Sequence, residues 1–108
     1  MTDSSKALEI VSQLGDILAK RKIRIAAAES CTGGSLAGVM TAVPGASHWF
    51  ERGFVTYSNE SKQQLLAVPY QLIQEQGAVS EPVARAMAEG AILNSGADVS
   101  VAITGIAG

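Results

Sequence analysis

Three consecutive alanines, Ala26, Ala27 and Ala28, follow Ile23 and Ile25 in KIRIAAA and run straight into the polar, glycine-bearing stretch Glu29-Ser30-Cys31-Thr32-Gly33-Gly34. A strand that ends in uninterrupted small apolar residues is one packed tightly on both faces, which requires helices on either side of a sheet. Beyond Gly33-Gly34, the residues Leu36, Val39, Met40 and Val43 recur at helical spacing until Pro44-Gly45 breaks the hydrogen-bond ladder. A buried strand entering a helix through a glycine turn is half of a βαβ unit, so the chain is expected to be α/β.

The rest of the sequence fits that frame. Leu8, Val11, Leu14 and Leu18 form one helical stripe, with Ser4 or Ser5 as the expected cap. FERGFVTYS reads as a second strand, and ESKQQLLAV as a short helix capped by Ser58 or Asn59 and stopped by Pro69. PYQLIQEQG predicts another short helix ending at Gly77. Ser80-Glu81-Pro82 opens a longer helix, with Val83, Met87 and Ala91 on its buried face and Gly96 closing it. DVSVAITG is a third strand, running into Gly105-Ile106-Ala107-Gly108. The expected order is α-β-α-β-α-α-α-β, with helices packed on a largely parallel or mixed sheet in one domain spanning residues 1–108.

Composition removes several classes of function. Charged residues are 17% of the chain, hydrophobic ones 47%, and the net charge is −2. That balance suits a folded globule and supplies no positive field for nucleic acid or anionic lipid. The basic cluster Lys20-Arg21-Lys22 falls where the first helix should end, where it complements the helix dipole. One cysteine permits no internal disulfide, and MTDSSKALEI lacks the basic and apolar regions of an export signal, so a cytoplasmic protein without a membrane span is expected. One histidine and one cysteine fall short of the ligands a zinc site needs, so no metal is expected.

In parallel sheets, ligands bind beyond the carboxyl ends of the strands. Three polar clusters lie there: Glu29 to Gly34, Tyr57 to Lys62, and Thr104-Gly105. In the first, the glycines leave amides free at a helix start, which suits an oxyanion or a phosphate; equally, Ser30 or Thr32 simply caps the helix. Neither Gly-Lys-Ser/Thr nor GxGxxG is present to complete a nucleotide-binding loop. In the second, Lys62 stands in the first turn of a helix, where the dipole disfavours a cation. It is either a solvated surface lysine or a base whose pKa is lowered by its surroundings. His48, beside Trp49, has no evident acidic partner and reads as loop packing. Cys31 is either a nucleophile at a helix start or a small buried side chain.

The segments AESCTGG, YSNESK, GAVSEPVA and ITGIAG, in this order, closely resemble the CinA carboxy-terminal domain family, the bacterial nicotinamide mononucleotide deamidases. The resemblance covers essentially the whole chain. It implies an amidohydrolase that converts nicotinamide mononucleotide to nicotinate mononucleotide and ammonia, without metal or cofactor, by a serine-lysine mechanism. Carried onto this sequence, Ser30 is the nucleophile and Lys62 its base, with Tyr57 a further member of the constellation. Thr104 and Gly105 belong to the substrate site, and the oxyanion falls to the amides around Thr32, Gly33 and Gly34. Family members run on past GIAG into further strands and a last helix. The chain is therefore expected to lack the final part of the domain and to self-associate through the uncovered sheet edge. The other reading of the same residues is a nucleotide-binding or regulatory module that does not turn its ligand over.

Overall fold

The computed structural model describes residues 2–106. The elements are α1 (Thr2–Arg21), β1 (Ile25–Ser30), α2 (Ser35–Thr41), a single 3-10 turn at Ala46–His48, β2 (Phe50–Thr56), α3 (Asn59–Leu66), α4 (Tyr70–Gln76), α5 (Glu81–Leu93) and β3 (Val99–Ile103). The sheet has the order β2-β1-β3, and both pairings are parallel. The expected α/β order is therefore the observed one, and the sheet is parallel rather than mixed.

β1 is the middle strand, and all six of its residues are buried. Its side chains alternate between two cores, as the period of two requires. Ile25 and Ala27 pack with Val11 and Leu18 of α1, Met40 of α2, Val43 and Trp49. Ala26 and Ala28 pack with Leu66, Val68, Ile73 and the Val83, Met87 and Ala91 face of α5. The sheet is thus sandwiched between α1 and α2 on one side and α3 to α5 on the other. Small residues at the centre let the layers approach: a methyl group on Gly53 of β2 would stand 3.0 Å from the Ala37 Cβ of α2. From β1 the chain steps to β2 on one side and later returns past β1 to β3 on the other. Right-handed connections in opposite directions place their helices on opposite faces, as found here.

Several boundaries differ from the sequence reading. α1 starts at Thr2, so Ser4 and Ser5 fall inside it rather than ahead of it. Lys20 and Arg21 do occupy its last turn. Ser58 caps α3, its hydroxyl accepting from Ser61 N at 3.0 Å. Pro69 does not stop that helix: Ala67, at φ 55°, has already turned it, with Ala67 N donating to Gln63 O and Val68 N to Lys62 O. Pro69 instead starts α4. Ser80 caps α5 as expected, but the helix ends at Asn94, whose backbone N–H and side-chain amide both reach Gly90 O, rather than at Gly96. A local side chain that satisfies the last carbonyl ends a helix without needing a glycine. Residues Ala107 and Gly108, which follow the third strand in the sequence reading, lie outside the described residues.

Among those residues, no helix is long and apolar enough to cross a membrane.

Candidate active site

The ladder carries β1 further than the sequence reading placed it. Glu29 pairs with Val55 and Ile103, and Ser30 with Thr56. Both residues therefore belong to the strand and point to opposite faces of the sheet. Ser30 continues the Ala26-Ala28 side, toward α3 and α5; Glu29 continues the Ile25-Ala27 side, toward α2. Thr56, which is buried, fixes the strand end by donating its hydroxyl to Glu29 O at 3.1 Å.

On the Ser30 side, the ends of all three strands meet around a cavity of about 290 Å³. Ser30 and Cys31 reach it from β1, Tyr57, Asn59 and Lys62 from the segment after β2, and Thr104, Gly105 and Ile106 from the segment after β3. Ala78 and Val79, between α4 and α5, close its remaining wall. The cavity lies at the carboxyl ends of the strands, where the connections from β1 diverge, and such a crevice is the preferred ligand position in open α/β sheets. Thr104 ties two walls together by donating to Ala78 O at 3.0 Å.

Lys62 is the most unusual group in the cavity. It is only 2% exposed, the bulkiest of the fully buried side chains. Its Nζ donates to Tyr57 O at 3.0 Å. Burial pushes its pKa below the ordinary 10.5, opposed by the attraction a Cys31 thiolate would exert. A charged side chain is taken out of water at a cost, so a solvated-surface reading of Lys62 no longer holds. Tyr57 contributes its main-chain carbonyl to this arrangement, while the residue as a whole is 75% exposed at the cavity mouth. Cys31 is partly exposed and held at a left-handed φ of 77°. A methyl on Gly105 would stand 3.2 Å from its Sγ, so the glycine leaves room for the thiol.

The structure does not bring Thr32, Gly33 and Gly34 to this cavity. Their glycines do turn the chain, at φ 64° and 97°. The start of α2, where the sequence reading looked for a bound anion, holds the protein's own carboxylate. Glu29 accepts from Thr32 Oγ1 at 2.6 Å, Leu36 N at 3.0 Å and Ala37 N at 2.7 Å. Burial pushes the Glu29 carboxyl up, but the hydrogen bonds from Thr32, Ala37, Leu36 and Gly34 outweigh it and hold the pKa below 4.5. Neither Ser30 nor Thr32 is a conventional cap, and the residue that fills this role was missed. Its signal was present: extending the alternation of IAAA by one residue places Glu29 on the face of Ala27, toward the α2 amides.

His48 lies away from the cavity, exposed in the short turn at Ala46–His48, and it is Trp49 that packs, at 2% exposure. Among the described residues, no three His, Cys, Asp or Glu side chains cluster as metal ligands would.

Comparison with known proteins adds the family. The CinA C-terminal domain profile matches residues 7–108. The chain is 50% identical over all 108 residues to the nicotinamide-nucleotide amidohydrolase PncC of Escherichia coli K12, spanning 65% of that protein. It is 60% identical over 95 residues to a putative competence-damage inducible protein of Symbiobacterium thermophilum, of which it spans 22%. Among solved structures, the competence/damage inducible protein CihA from Agrobacterium tumefaciens superposes with a TM-score of 0.92 at 40% identity, over 94% of this chain and 62% of that one. The chain thus spans less than two thirds of each of these relatives. With a profile match across nearly its whole length and close agreement in both sequence and fold, the chain belongs to the CinA C-terminal domain family.

Proposed function

We propose that this chain carries the hydrolytic site of a nicotinamide-nucleotide amidohydrolase, with Ser30 as nucleophile and Lys62 as general base. The observation that supports this reading is that a buried lysine of lowered pKa lines the same cavity as the serine at the end of the central strand. A lysine can act as a base only when neutral, and burial raises the neutral fraction at a given pH. The 50% identity to PncC, a nicotinamide-nucleotide amidohydrolase, supports this choice of substrate class.

In the proposed reaction, neutral Lys62 takes the Ser30 hydroxyl proton while Oγ attacks the carboxamide carbon of nicotinamide mononucleotide. The tetrahedral adduct collapses as the C–N bond breaks, and Lys62 returns its proton to the departing nitrogen, releasing ammonia. Water, deprotonated by the same lysine, then cleaves the Ser30 ester to give nicotinate mononucleotide and regenerates the serine. Tyr57 O orients the amine, and Thr104 with Gly105 forms the wall beside the acyl group. Hydrolysis of this kind needs no redox partner.

The experiment is an ammonia-release assay with nicotinamide mononucleotide. Ser30→Ala and Lys62→Ala should each lower kcat/KM by roughly 10²–10⁴-fold, the scale of a lost base or nucleophile. Cys31→Ala should retain ammonia release. Normal turnover by Lys62→Ala would overturn the assignment. A thermal shift on adding the nucleotide, without ammonia release by the unaltered chain, would favour a binding module instead.

A further inference from the structure

The Glu29 carboxylate is 0% exposed and lies on the opposite face of the sheet from the cavity, so the proposed reaction gives it no chemical part. Yet it is bonded to the residues that follow the nucleophile. Oε1 accepts from Thr32 Oγ1 and Leu36 N, and Oε2 accepts from Ala37 N, so one carboxylate spans the turn and the first turn of α2. The turn itself is under strain, because Cys31 adopts φ 77°, a left-handed conformation unfavourable for an L-residue. Something must hold the chain in that conformation, and Cys31 is the residue through which β1 leaves Ser30.

We infer that Glu29 is a positioning residue: by clamping Thr32 and the start of α2 from one face of the sheet, it fixes the strained turn that aims Ser30 into the cavity on the other. This rests on the reading of Ser30 as nucleophile. A serine Oγ displaced by even about 1 Å loses roughly 10²-fold in rate, because attack on a carbonyl needs a near-aligned approach. Thr32, expected from sequence to contact the oxyanion, belongs on this account to the clamp. A glutamine in place of Glu29 brings one oxygen and an NH₂ group that faces an amide donor, so it cannot accept from both ends of the clamp.

The test uses Glu29→Gln and Thr32→Ala, the second removing one arm of the clamp while leaving the carboxylate on α2. Two readouts are followed below the melting temperature of each variant: steady-state ammonia release, and the rate at which Cys31 is alkylated by iodoacetamide. A loosened turn should speed alkylation by roughly tenfold in Glu29→Gln, and less in Thr32→Ala, as local opening becomes easier. In the same proteins kcat should fall, by about 10²-fold for Glu29→Gln, with KM little changed, since substrate does not touch the clamp. Reduced thermal stability with unchanged alkylation and unchanged kcat would mean a purely structural cap and would overturn the inference. Should Glu29→Gln not fold, Thr32→Ala alone decides by the same two readouts. If the unaltered chain releases no ammonia, the reading of the site fails; the alkylation rates still decide whether Glu29 fixes the turn.

Discussion

Replacing Lys62 by methionine should raise stability while abolishing turnover. The lysine is 2% exposed and its Nζ, with three protons to donate, makes one hydrogen bond among the described residues, to Tyr57 O at 3.0 Å. Burial lowers its pKa, because the fold disfavours the ammonium relative to the neutral amine. Methionine fills the same channel with an unbranched chain and no charge. The Tyr57 carbonyl loses its donor, a loss of about 1 kcal/mol where water can replace it, and Tyr57 is exposed. A net gain follows, and for a chain of this size each ~1 kcal/mol of it raises the melting temperature by roughly 4–5 °C.

The pH dependence fixes the sign. The folded-state pKa of Lys62 lies below the unfolded value, so between the two the unfolded chain binds the extra proton and stability rises with pH. Below the folded-state pKa the penalty is complete and constant. The advantage of Lys62→Met is therefore greatest there and shrinks as pH climbs toward 10.5, the unperturbed value. Calorimetric melts of both proteins across the neutral and alkaline range measure it, beside kcat/KM, which in the unaltered chain should increase with pH as Lys62 deprotonates. A lower melting temperature for Lys62→Met, or a difference that does not vary with pH, would refute the reasoning.

Two further changes probe the support of that lysine. A methyl on buried Gly90 of α5 would stand 1.9 Å from Leu66 O and 2.7 Å from Leu66 C, both backbone atoms of α3, the helix that carries Lys62. Gly90→Ala should thus cost about 3 kcal/mol, seen as a melting temperature lower by roughly 10–20 °C, with reduced ammonia release at temperatures where it is folded. Ala67, exposed at φ 55°, should gain about 0.5–1 kcal/mol as Ala67→Gly, because relief of left-handed strain exceeds the added chain entropy; a higher urea midpoint at constant m-value checks this.

How far the sequence disclosed the molecule depended on the range of the interactions involved. The alanines of β1 and the Ser80-Glu81-Pro82 start of α5 were readable because strand burial and helix capping are written in neighbouring residues. Gly96 and Pro69 misled for a related reason: both are strong punctuation, but Asn94 and Ala67 had already ended their helices by local bonds. The burial of Lys62 was not readable. It arises where Ala78-Val79 and Thr104-Gly105, from distant parts of the chain, line one cavity with it, and only the dipole misfit in the first turn of α3 hinted that it was no ordinary surface lysine.

The dipeptide Glu29-Ser30 shows how one register sends neighbouring side chains to different surroundings. Where β1 ends is decided by pairing with Thr56 and Ile103, partners 26 and 74 residues further on (56 − 30; 103 − 29). A strand stopping one residue earlier would have left Ser30 in the turn, free to cap α2, as the sequence alone allowed. Because the ladder continues, parity assigns the two side chains to opposite faces, and the carboxylate takes the helix amides that the hydroxyl would otherwise have shared. Ser30 is thereby released from capping and faces the cavity that Lys62 also lines. The anion at the helix start and the serine in the cavity are thus consequences of one register, and a change that shifts the register must disturb both together.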